Sequence, residues 1–99
     1  MRAEKFEWDP EKSQRNLEKH GISFVEARAL WEGPVIELDT NSGTDDARWK
    51  VIGMIAGKHW AAIITYREGR RRIISVRRAR RREAESYDRF AGRNEADNR

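Results

Sequence analysis

The residues best suited to chemistry lie in one stretch, RRRIISVRRARRRE, at positions 70–83. It contains eight arginines around the apolar run IISV, with a single serine, Ser75, among them. Guanidinium groups bind phosphate oxygens through paired hydrogen bonds and stay charged at physiological pH. The stretch therefore predicts a surface that holds phosphates. The alternative is a solvated charged face, because arginine stems can also cover apolar surface.

The positive charge of the chain is concentrated around that stretch. The whole sequence has a formal net charge of +4, but residues 1–66 carry 9 lysines and arginines against 11 acidic residues, whereas residues 67–89 carry 10 against 4. A local field of one sign attracts polyanions and steers them to a patch. We therefore expect a nucleic acid to bind here, and charge alone leaves RNA and DNA both open.

Arg67 and Ser75 are candidates for a site because both lie on strands joined by a turn at Glu68-Gly69. A two-residue loop would pair Arg67 with Arg70 and put Arg67 and Ser75 on opposite faces. A slip of one residue would put Arg67, Ser75 and Arg77 on the same face. If they converge, the guanidinium groups could hold a scissile phosphate and stabilise its added charge. Because RNA carries its own nucleophile, the 2'-hydroxyl, such a site could cut RNA without a metal ion.

Metal and nucleotide chemistry lack their usual signatures. The two histidines, His20 and His59, are 39 positions apart and there is no cysteine, so no metal site is expected. There is no glycine-rich phosphate loop and no G-x-S-x-G motif, and we expect no cofactor. His20 either complements a helix dipole or belongs to a site with Lys19, and His59 is interpreted as a turn residue.

Composition also indicates where the protein works. A chain without cysteine has no disulfide, which fits a reducing compartment. The longest apolar run, VIGMIAG from Val51, is far too short to span a bilayer, and the N-terminal segment does not resemble a signal peptide. We therefore expect a cytoplasmic protein with no membrane partner.

Two helices are predicted near the start of the chain. Asp9-Pro10 is a favoured helix start and Gly21 a favoured helix end, so a helix should lie between them. Ser23 and Glu26 form a capping box for a second helix, which Gly33-Pro34 ends.

Strand patterns account for most of the remaining sequence. Strands are predicted at residues 6–8, 35–39, 48–57, 59–67 and 70–77. Turns at Gly57-Lys58 and Glu68-Gly69 join the last three strands into hairpins. A helix from Ala79 to about Phe90 follows.

These elements predict an α+β fold. Two N-terminal helices pack on one face of an antiparallel β-sheet, the other face stays free for binding, and a helix follows the sheet. Residues 1–90 form a single domain and residues 91–99 a disordered tail. Trp60 and Tyr66 then have two interpretations, as platforms for stacked bases or as core residues.

Three separated segments resemble one known family. FEWDPEKSQRNLEKHGISFVEA near the start, RWKVIG in the middle and IISVRRARRREAESY near the end have the order and spacing of BrnT-like toxins from bacterial type II toxin-antitoxin systems. The resemblance covers residues 6–87 and implies a RelE-like fold and a small bacterial ribonuclease that inhibits translation. Together with the absence of clustered metal ligands, it predicts that the RNA is cleaved without a metal ion. It also implies a cognate antitoxin, a BrnA-like DNA-binding dimer that masks the toxin, represses the shared operon and forms a heterotetramer with it.

The resemblance assigns roles to some residues. Arg67 matches the family's arginine at a strand end, and Ser75 and Arg77 match its I-I-S-x-R segment, so these three are the catalytic candidates. Together with the basic surface, it gives a set of RNA-binding candidates: Arg78, Arg72, Lys19, His20, Arg80 and Arg81. Four candidates for the general base remain open: Lys19, His20, Glu7 and Asp9. Arg70 and Arg71 depart from the family pattern and could strengthen RNA binding.

Two other functions stay open beside the toxin. One is a noncatalytic RNA- or DNA-binding module, and the other is a protein-interaction domain whose basic patch meets an acidic partner. Charge does not separate a nuclease from a binding module, but RNA cleavage by the pure protein does. A small antitoxin encoded by the neighbouring reading frame would favour the toxin.

Overall fold

The structure, a computed structural model, describes residues 5–40 and 47–97. It is an α+β fold with three α-helices and a five-stranded sheet. In chain order the elements are β1 (Phe6–Glu7), α1 (Pro10–His20), α2 (Phe24–Ala27), a 3-10 helix that continues α2 (Arg28–Glu32), β2 (Ile36–Asp39), β3 (Trp49–Ile55), β4 (Lys58–Arg67), β5 (Arg70–Arg78) and α3 (Arg81–Asp97).

Local sequence signals start and end α1 as predicted. The N–H of Glu11 donates to Asp9 Oδ1 at 2.9 Å, and Pro10 is the first helical residue. At the other end, Gly21 has a φ of 80° and its N–H donates to the carbonyl of Leu17 at 2.9 Å. Glycine adopts this left-handed conformation without the steric cost of a Cβ atom.

The second helix begins as predicted but is short. Ser23 Oγ accepts the N–H of Glu26 at 3.1 Å, and Glu26 Oε1 accepts the N–H of Ser23 at 2.8 Å. The α-helix lasts one turn and then tightens into the 3-10 helix. Phe24, Ala27 and Leu30 are nevertheless all buried, so both segments present their apolar positions to the core.

The sheet has the strand order β1-β5-β4-β3-β2. Strands β2 to β5 form the predicted antiparallel meander. β1, however, lies parallel to β5, with Phe6 opposite Arg71 and Glu7 opposite Arg72. The sheet is therefore mixed, and the prediction of a wholly antiparallel sheet is wrong at this edge. Hairpin signals fix the direction only of strands that follow one another, and β1 and β5 are separated by the rest of the fold.

Both tight turns of the meander place two residues at positive φ. Ala56 and Gly57 have φ of 51° and 80°, and the Glu68-Gly69 pair has 55° and 80°. Two-residue hairpin turns that match the strand twist use such angles. The second turn is the predicted one. The first lies one residue earlier than predicted, because Lys58 is already paired in the β3–β4 ladder.

The three helical segments before β2 cover one face of the sheet and form the main core. The buried residues of this core are Ile22, Phe24, Ala27, Leu30, Val51, Ala62, Ile64, Ile73 and Val76. Gly53 of β3 lets the 3-10 helix approach closely, because a Cβ atom there would lie 3.0 Å from side-chain atoms of Leu30 and Val35.

α3 packs on part of the opposite face, which we expected to stay free. The buried ring of Tyr87 clusters with Ile52 and Ala61, and its hydroxyl donates to the carbonyl of Pro34 at 2.9 Å. The prediction of a free face is wrong here because one end of this face is apolar, and packing α3 on it removes that apolar surface from water. Among the described residues, no member of this cluster comes from positions 70–76 of β5.

α3 is longer than predicted. Its helical backbone continues past Phe90, where we expected the end, to Asp97. The predicted tail at residues 91–99 overlaps these last turns, and residues 98–99 lie outside the described part of the chain. None of the helices described is both long and apolar enough to cross a membrane.

Candidate active site

A β-bulge decides which side chains share a face of the β4–β5 hairpin. Arg67 pairs with Arg70, which fixes a two-residue loop, but Ser75 pairs with Ile63, which leaves Ile74 without a partner in the ladder. Since side chains alternate between faces along a strand, this extra residue puts Ser75 on the face of Arg67. The structure thus combines the two-residue loop of one predicted register with the shared face of the other.

Arg67, Ser75 and Arg77 lie on one face, called here the Ser75 face, but they do not meet at one point. Ser75 stands opposite Ile63 and Arg77 opposite Ala61, four and six residues from Arg67 along β4. At about 3.3 Å per residue, Ser75 lies roughly 13 Å and Arg77 roughly 20 Å from Arg67 along the strands. Ser75 and Arg77 are near neighbours, and Arg67 is separate from both.

Glu83, the third residue of α3, holds Arg77 in place. Nη1 and Nη2 of Arg77 donate to Oε1 and Oε2 of Glu83 at 2.8 and 2.9 Å. Lys50 Nζ donates to Oε2 at 2.7 Å, and the N–H of Arg80 donates to Oε1 at 2.7 Å. One buried carboxylate therefore brings two cations of the Ser75 face together and caps the start of α3.

These contacts shift the pKa values of the ion pair. The hydrogen bonds from Arg77 lower the pKa of Glu83 far below the ordinary carboxyl range, and those from Lys50 and the Arg80 N–H add to this, whereas burial acts in the opposite direction. The hydrogen bonds to Glu83 in turn raise the pKa of Arg77. Both groups are therefore charged at neutral pH.

Arg72, also on the Ser75 face, is paired with Glu7 of β1. Its Nη1 donates to Glu7 Oε2 at 3.0 Å, and Arg70 Nη1 lies 3.7 Å from Glu7 Oε1. Asp9, as described above, caps α1. Both carboxylates among the general-base candidates therefore already have structural partners.

Arg78 and the two candidate stacking residues lie on the opposite, helix-covered face. The guanidinium carbon of Arg78 lies 5.5 Å from the centre of the Trp60 ring. Trp60 packs against the main core, whereas Tyr66 is exposed and its hydroxyl donates to Glu37 Oε2 at 2.8 Å. A base stacked on either ring would lie on the far side of the sheet from Ser75.

Lys19 and His20 lie beside Ser75 in a groove between α1 and the outer edge of β5, called here the α1 groove. Its volume is ≈ 270 Å³, and its lining residues are Lys12, Arg15, Asn16, Lys19, His20, Ile74 and Ser75. Sequence reasoning missed Lys12 and Arg15. Positions 12, 15 and 19 are three and four residues apart, a spacing that puts them on one helix face and could have revealed them.

Asn16 fixes α1 against β5. Its Nδ2 donates to the carbonyls of Ile22 and Val76 at 2.8 and 2.9 Å, and its Oδ1 accepts the N–H of Val76 at 3.1 Å. The amide therefore takes the place of a neighbouring strand at the edge of β5, beyond the end of β1. Asn16 is buried, so these bonds are shielded from water and hold one wall of the groove next to Ser75.

A second group of cations lies at the start of α3. A depression of ≈ 400 Å³ is lined by Lys50, Arg80, Arg81, Arg82 and Glu83. Arg81 Nε lies 3.2 Å from Glu85 Oε2, but both side chains are largely exposed, where such pairs contribute little. Arg82, absent from the predicted RNA-binding set, lies in the same arginine run.

His59 is a strand residue and not the turn residue that we expected. Its Nε2 lies 2.7 Å from Asp88 Oδ1, and its ring packs edge-on against Tyr87 with the ring centres 5.7 Å apart. These contacts tie α3 to β4. Across residues 5–40 and 47–97, no group of three or more His, Asp or Glu side chains is placed to hold a metal ion.

A comparison with known protein families shows the family to which this chain belongs. Residues 8–83 match the model of a family described as the ribonuclease toxin BrnT of type II toxin-antitoxin systems. The chain belongs to the BrnT family. No curated protein matches the sequence.

The BrnT match confirms the resemblance that the three sequence segments suggested. It runs from Trp8 to Glu83 and so includes Ser75, its neighbour Arg77 and the whole α1 groove. A BrnT protein is a ribonuclease toxin of the type II class, and a cognate antitoxin is its partner.

Proposed function

We propose that this BrnT protein is an endoribonuclease that cleaves RNA without a metal ion, inhibits translation by doing so, and is neutralised by its antitoxin. The observation that carries the proposal is the bulge at Ile74, which puts Ser75 and Arg77 on the face of Arg67, with Ser75 beside the α1 groove. Cations therefore flank a single hydroxyl at the edge of the sheet. A bound RNA phosphate at Ser75 would have positive charge on both sides.

RNA supplies the nucleophile for this reaction. The 2'-hydroxyl oxygen bonds to the adjacent phosphorus, and the bond between phosphorus and the 5'-oxygen breaks. The products are a 2',3'-cyclic phosphate and a 5'-hydroxyl. A base takes the proton of the 2'-hydroxyl and an acid returns one to the leaving oxygen, so no other reactant is needed. The protein has to bind the phosphate, stabilise its added charge and move these protons.

Ser75 and Arg77 are proposed to act at the scissile phosphate. Glu83 fixes the orientation of the Arg77 guanidinium, which has five N–H donors and so keeps some for a phosphate. The hydroxyl of Ser75 would donate to a phosphate oxygen beside it. Arg67, roughly 13 Å from Ser75 along the strands, would contact a different phosphate and hold the RNA in register for cleavage.

The RNA-binding residues are proposed to extend from this point in two directions. Lys19 and His20 lie in the α1 groove, and Arg80 and Arg81 lie at the start of α3. The remaining members of the set are Arg72, on the Ser75 face, and Arg78, on the opposite face.

His20 is the proposed proton-transfer residue. Of the four general-base candidates, Glu7 and Asp9 have structural partners, whereas Lys19 and His20 line the groove that contains Ser75. Imidazole both accepts and donates protons near neutral pH, which a lysine ammonium does not. His20→Ala should lower the single-turnover cleavage rate about 10²-fold or more, with partial rescue by added imidazole. A full rate without rescue would exclude this role.

The antitoxin is proposed to be a BrnA-like DNA-binding dimer that forms a heterotetramer with two toxin copies. The family supports an antitoxin as partner. Two toxins on one dimer would be related by its two-fold axis. We also propose that the fold is RelE-like, with helices flanking a sheet that carries the active surface.

The deciding experiment is cleavage of a defined single-stranded RNA by the pure protein in excess chelator. Cleavage should persist, leave 2',3'-cyclic phosphate ends, and fail when the nucleotide that supplies the attacking hydroxyl carries deoxyribose. Loss of activity in chelator that a divalent ion restores would refute metal independence. Binding of RNA or DNA with no cleavage would favour the alternative, a noncatalytic nucleic-acid-binding module.

A further inference from the structure

The cations of the α1 groove differ from most of those on β5. Arg70, Arg72 and Arg77 each pair with a carboxylate. Among the residues that the structure describes, the side chains of Lys12 and Arg15 make no hydrogen bond or ion pair. Unpaired like charges at helical spacing destabilise a helix by a few tenths of a kcal/mol each, so the fold gains nothing from this arrangement.

Acidic residues that could neutralise these cations are present on α1 but do not do so. Glu11 lies four residues before Arg15 and Glu18 three residues after it, both at spacings that permit an ion pair. Glu18 instead accepts a hydrogen bond from Gln14 at 3.2 Å, and among the described residues the carboxylate of Glu11 forms no ion pair with Arg15. The positive charge of the groove is therefore left available to a ligand.

The groove has a fixed wall and enough length for more than one phosphate. Asn16, which lies between Arg15 and Leu17 on α1, is bonded to Val76 and cannot shift without breaking buried hydrogen bonds. Lys12 and Lys19 are seven residues apart, which is about 10 Å along the helix axis. Ser75 borders the same groove, so a phosphate at Ser75 and a phosphate at Lys12 could belong to neighbouring nucleotides.

We infer that Lys12 and Arg15 form a second phosphate subsite, which binds the RNA backbone next to the phosphate that is cleaved at Ser75. This inference rests on the proposed ribonuclease function. Arg15 would grip phosphate oxygens with its guanidinium fork, and Lys12 would add a point charge. The RNA then runs along the α1 groove, past the outer edge of β5. An acidic segment of the antitoxin is the competing occupant, and the experiment separates the two.

The test compares two double variants with the same charge loss. Lys12→Gln with Arg15→Gln removes the subsite, and Arg28→Gln with Lys58→Gln removes two exposed cations elsewhere on the surface. The probe is a fluorescently labelled single-stranded RNA with 2'-O-methyl riboses, which binds but lacks the nucleophile. Its Kd is measured at several salt concentrations, and cleavage of the unmodified RNA is measured in single turnover.

The groove variant should bind the probe at least tenfold more weakly at low salt. The slope of log K against log salt should become shallower by about 1.4, because each lost contact with single-stranded RNA removes about 0.7. The control variant should change both quantities far less. The single variant Arg15→Lys keeps the charge, so its salt-dependence slope should stay close to that of the wild type. Its RNA affinity should lie between those of the wild type and the groove variant. Thermal melts of all variants exclude unfolding as the cause.

Two results would overturn the inference while leaving the proposed function intact. One is wild-type RNA binding and cleavage by the groove variant. The other is unchanged RNA binding together with loss of binding to the antitoxin encoded by the neighbouring reading frame, which would assign the groove to the antitoxin. If the wild-type protein itself neither binds nor cleaves RNA, the proposed function fails first.

Discussion

Glu83 is the single residue on which most contacts of the candidate site converge. Its carboxylate accepts hydrogen bonds from Arg77, Lys50 and the N–H of Arg80, and the residue is buried. A buried carboxylate with several charge-assisted hydrogen bonds stabilises a fold only while it stays ionised. Protonation of Glu83 should therefore weaken both the geometry of the site and the stability of the fold.

Acid should destabilise the protein through Glu83. Folding lowers the pKa of this carboxyl, so as the pH falls the unfolded chain is protonated first, near the ordinary value of about 4.3. The contribution of Glu83 is complete above that value and is lost as the pH drops toward the folded pKa. Urea unfolding between pH 7 and pH 3 measures this loss.

Glu83→Gln provides the comparison for this prediction. It should cost about 2 kcal/mol at pH 7, because a charge-assisted hydrogen bond contributes about 1.5–3 kcal/mol, and its stability should fall less steeply in acid. Glu85→Gln, which changes an exposed carboxyl, should retain the wild-type acid dependence. Equal acid dependence of Glu83→Gln and the wild type would show that Glu83 does not set it.

Arg67 gives the cleaner test of the two catalytic arginines. It is exposed, and no hydrogen bond or ion pair joins its side chain to the described residues, so Arg67→Ala should fold normally. Because Arg67 is proposed to hold the RNA in register for cleavage, its loss should lower single-turnover cleavage about 10²-fold while RNA affinity falls only modestly. Arg80→Ala should mainly weaken RNA binding.

Arg77 needs a substitution that respects its partner. Arg77→Ala leaves the buried carboxylate of Glu83 undercompensated and could fail by unfolding, so Arg77→Lys and the double variant Arg77→Ala with Glu83→Ala are the informative pair. Both should retain a cooperative melt and lose cleavage. If Arg80 governs the cleavage rate and Arg67 and Arg77 do not, the site does not lie on β5.

At the scale of secondary structure, Asn16 links α1 to the sheet and so positions the groove. Asn16→Ala removes three hydrogen bonds and leaves the N–H and carbonyl of Val76 without their partner. We expect a loss of about 2–3 kcal/mol in the free energy of unfolding, since unsatisfied buried groups cost about 1–3 kcal/mol. Chemical denaturation measures it.

The control for this prediction comes from the same helix. Gln14→Ala removes an exposed side chain that bonds to Glu18 and should change the stability by less than about 0.5 kcal/mol. Asn16→Asp keeps the shape but loses both donors and buries a charge, so it should cost more than Asn16→Ala. Equal stability of Asn16→Ala and Gln14→Ala would mean that Asn16 does not hold α1 on β5.

Elements whose signals are local in sequence were predictable. The caps of α1, the Ser23–Glu26 capping box and the Glu68-Gly69 turn each depend on residues within four positions of one another, and all three are confirmed. The site was not predictable in the same way. The bulge at Ile74 lies in the run IISV, where two neighbouring isoleucines precede Ser75 and the pattern gives no sign of an extra residue.

Contacts between distant segments account for what the sequence did not reveal. Asn16 meets Val76 across 60 residues, and Glu7 meets Arg72 across 65. No spacing rule connects such positions, so the sequence could have revealed the basic face of α1 but not the α1 groove. The position of α3 on the second sheet face was missed for a related reason. The sequence predicts that a surface is apolar but not which element covers it.

For the whole molecule, three groups of cations lie around one strand. The α1 groove, the Ser75 face and the start of α3 all adjoin β5. A partner that covers the edge of β5 would therefore block every proposed RNA contact on that side at once. An antitoxin needs only one docking surface to silence the toxin, which fits a tight complex between two small proteins.

The growth of bacteria that produce the protein tests the proposed toxin function and its neutralisation by the antitoxin. Wild-type protein made alone should arrest growth and lower translation, because RNA cleavage depletes the templates. Co-production of the antitoxin from the neighbouring reading frame should restore growth. Arg67→Ala, made at the same soluble level, should be harmless, which separates catalysis from the burden of overproduction. Growth rate, translation and RNA integrity are measured together. Normal growth with intact RNA at high soluble levels of the wild type would rule out a toxin that acts on RNA.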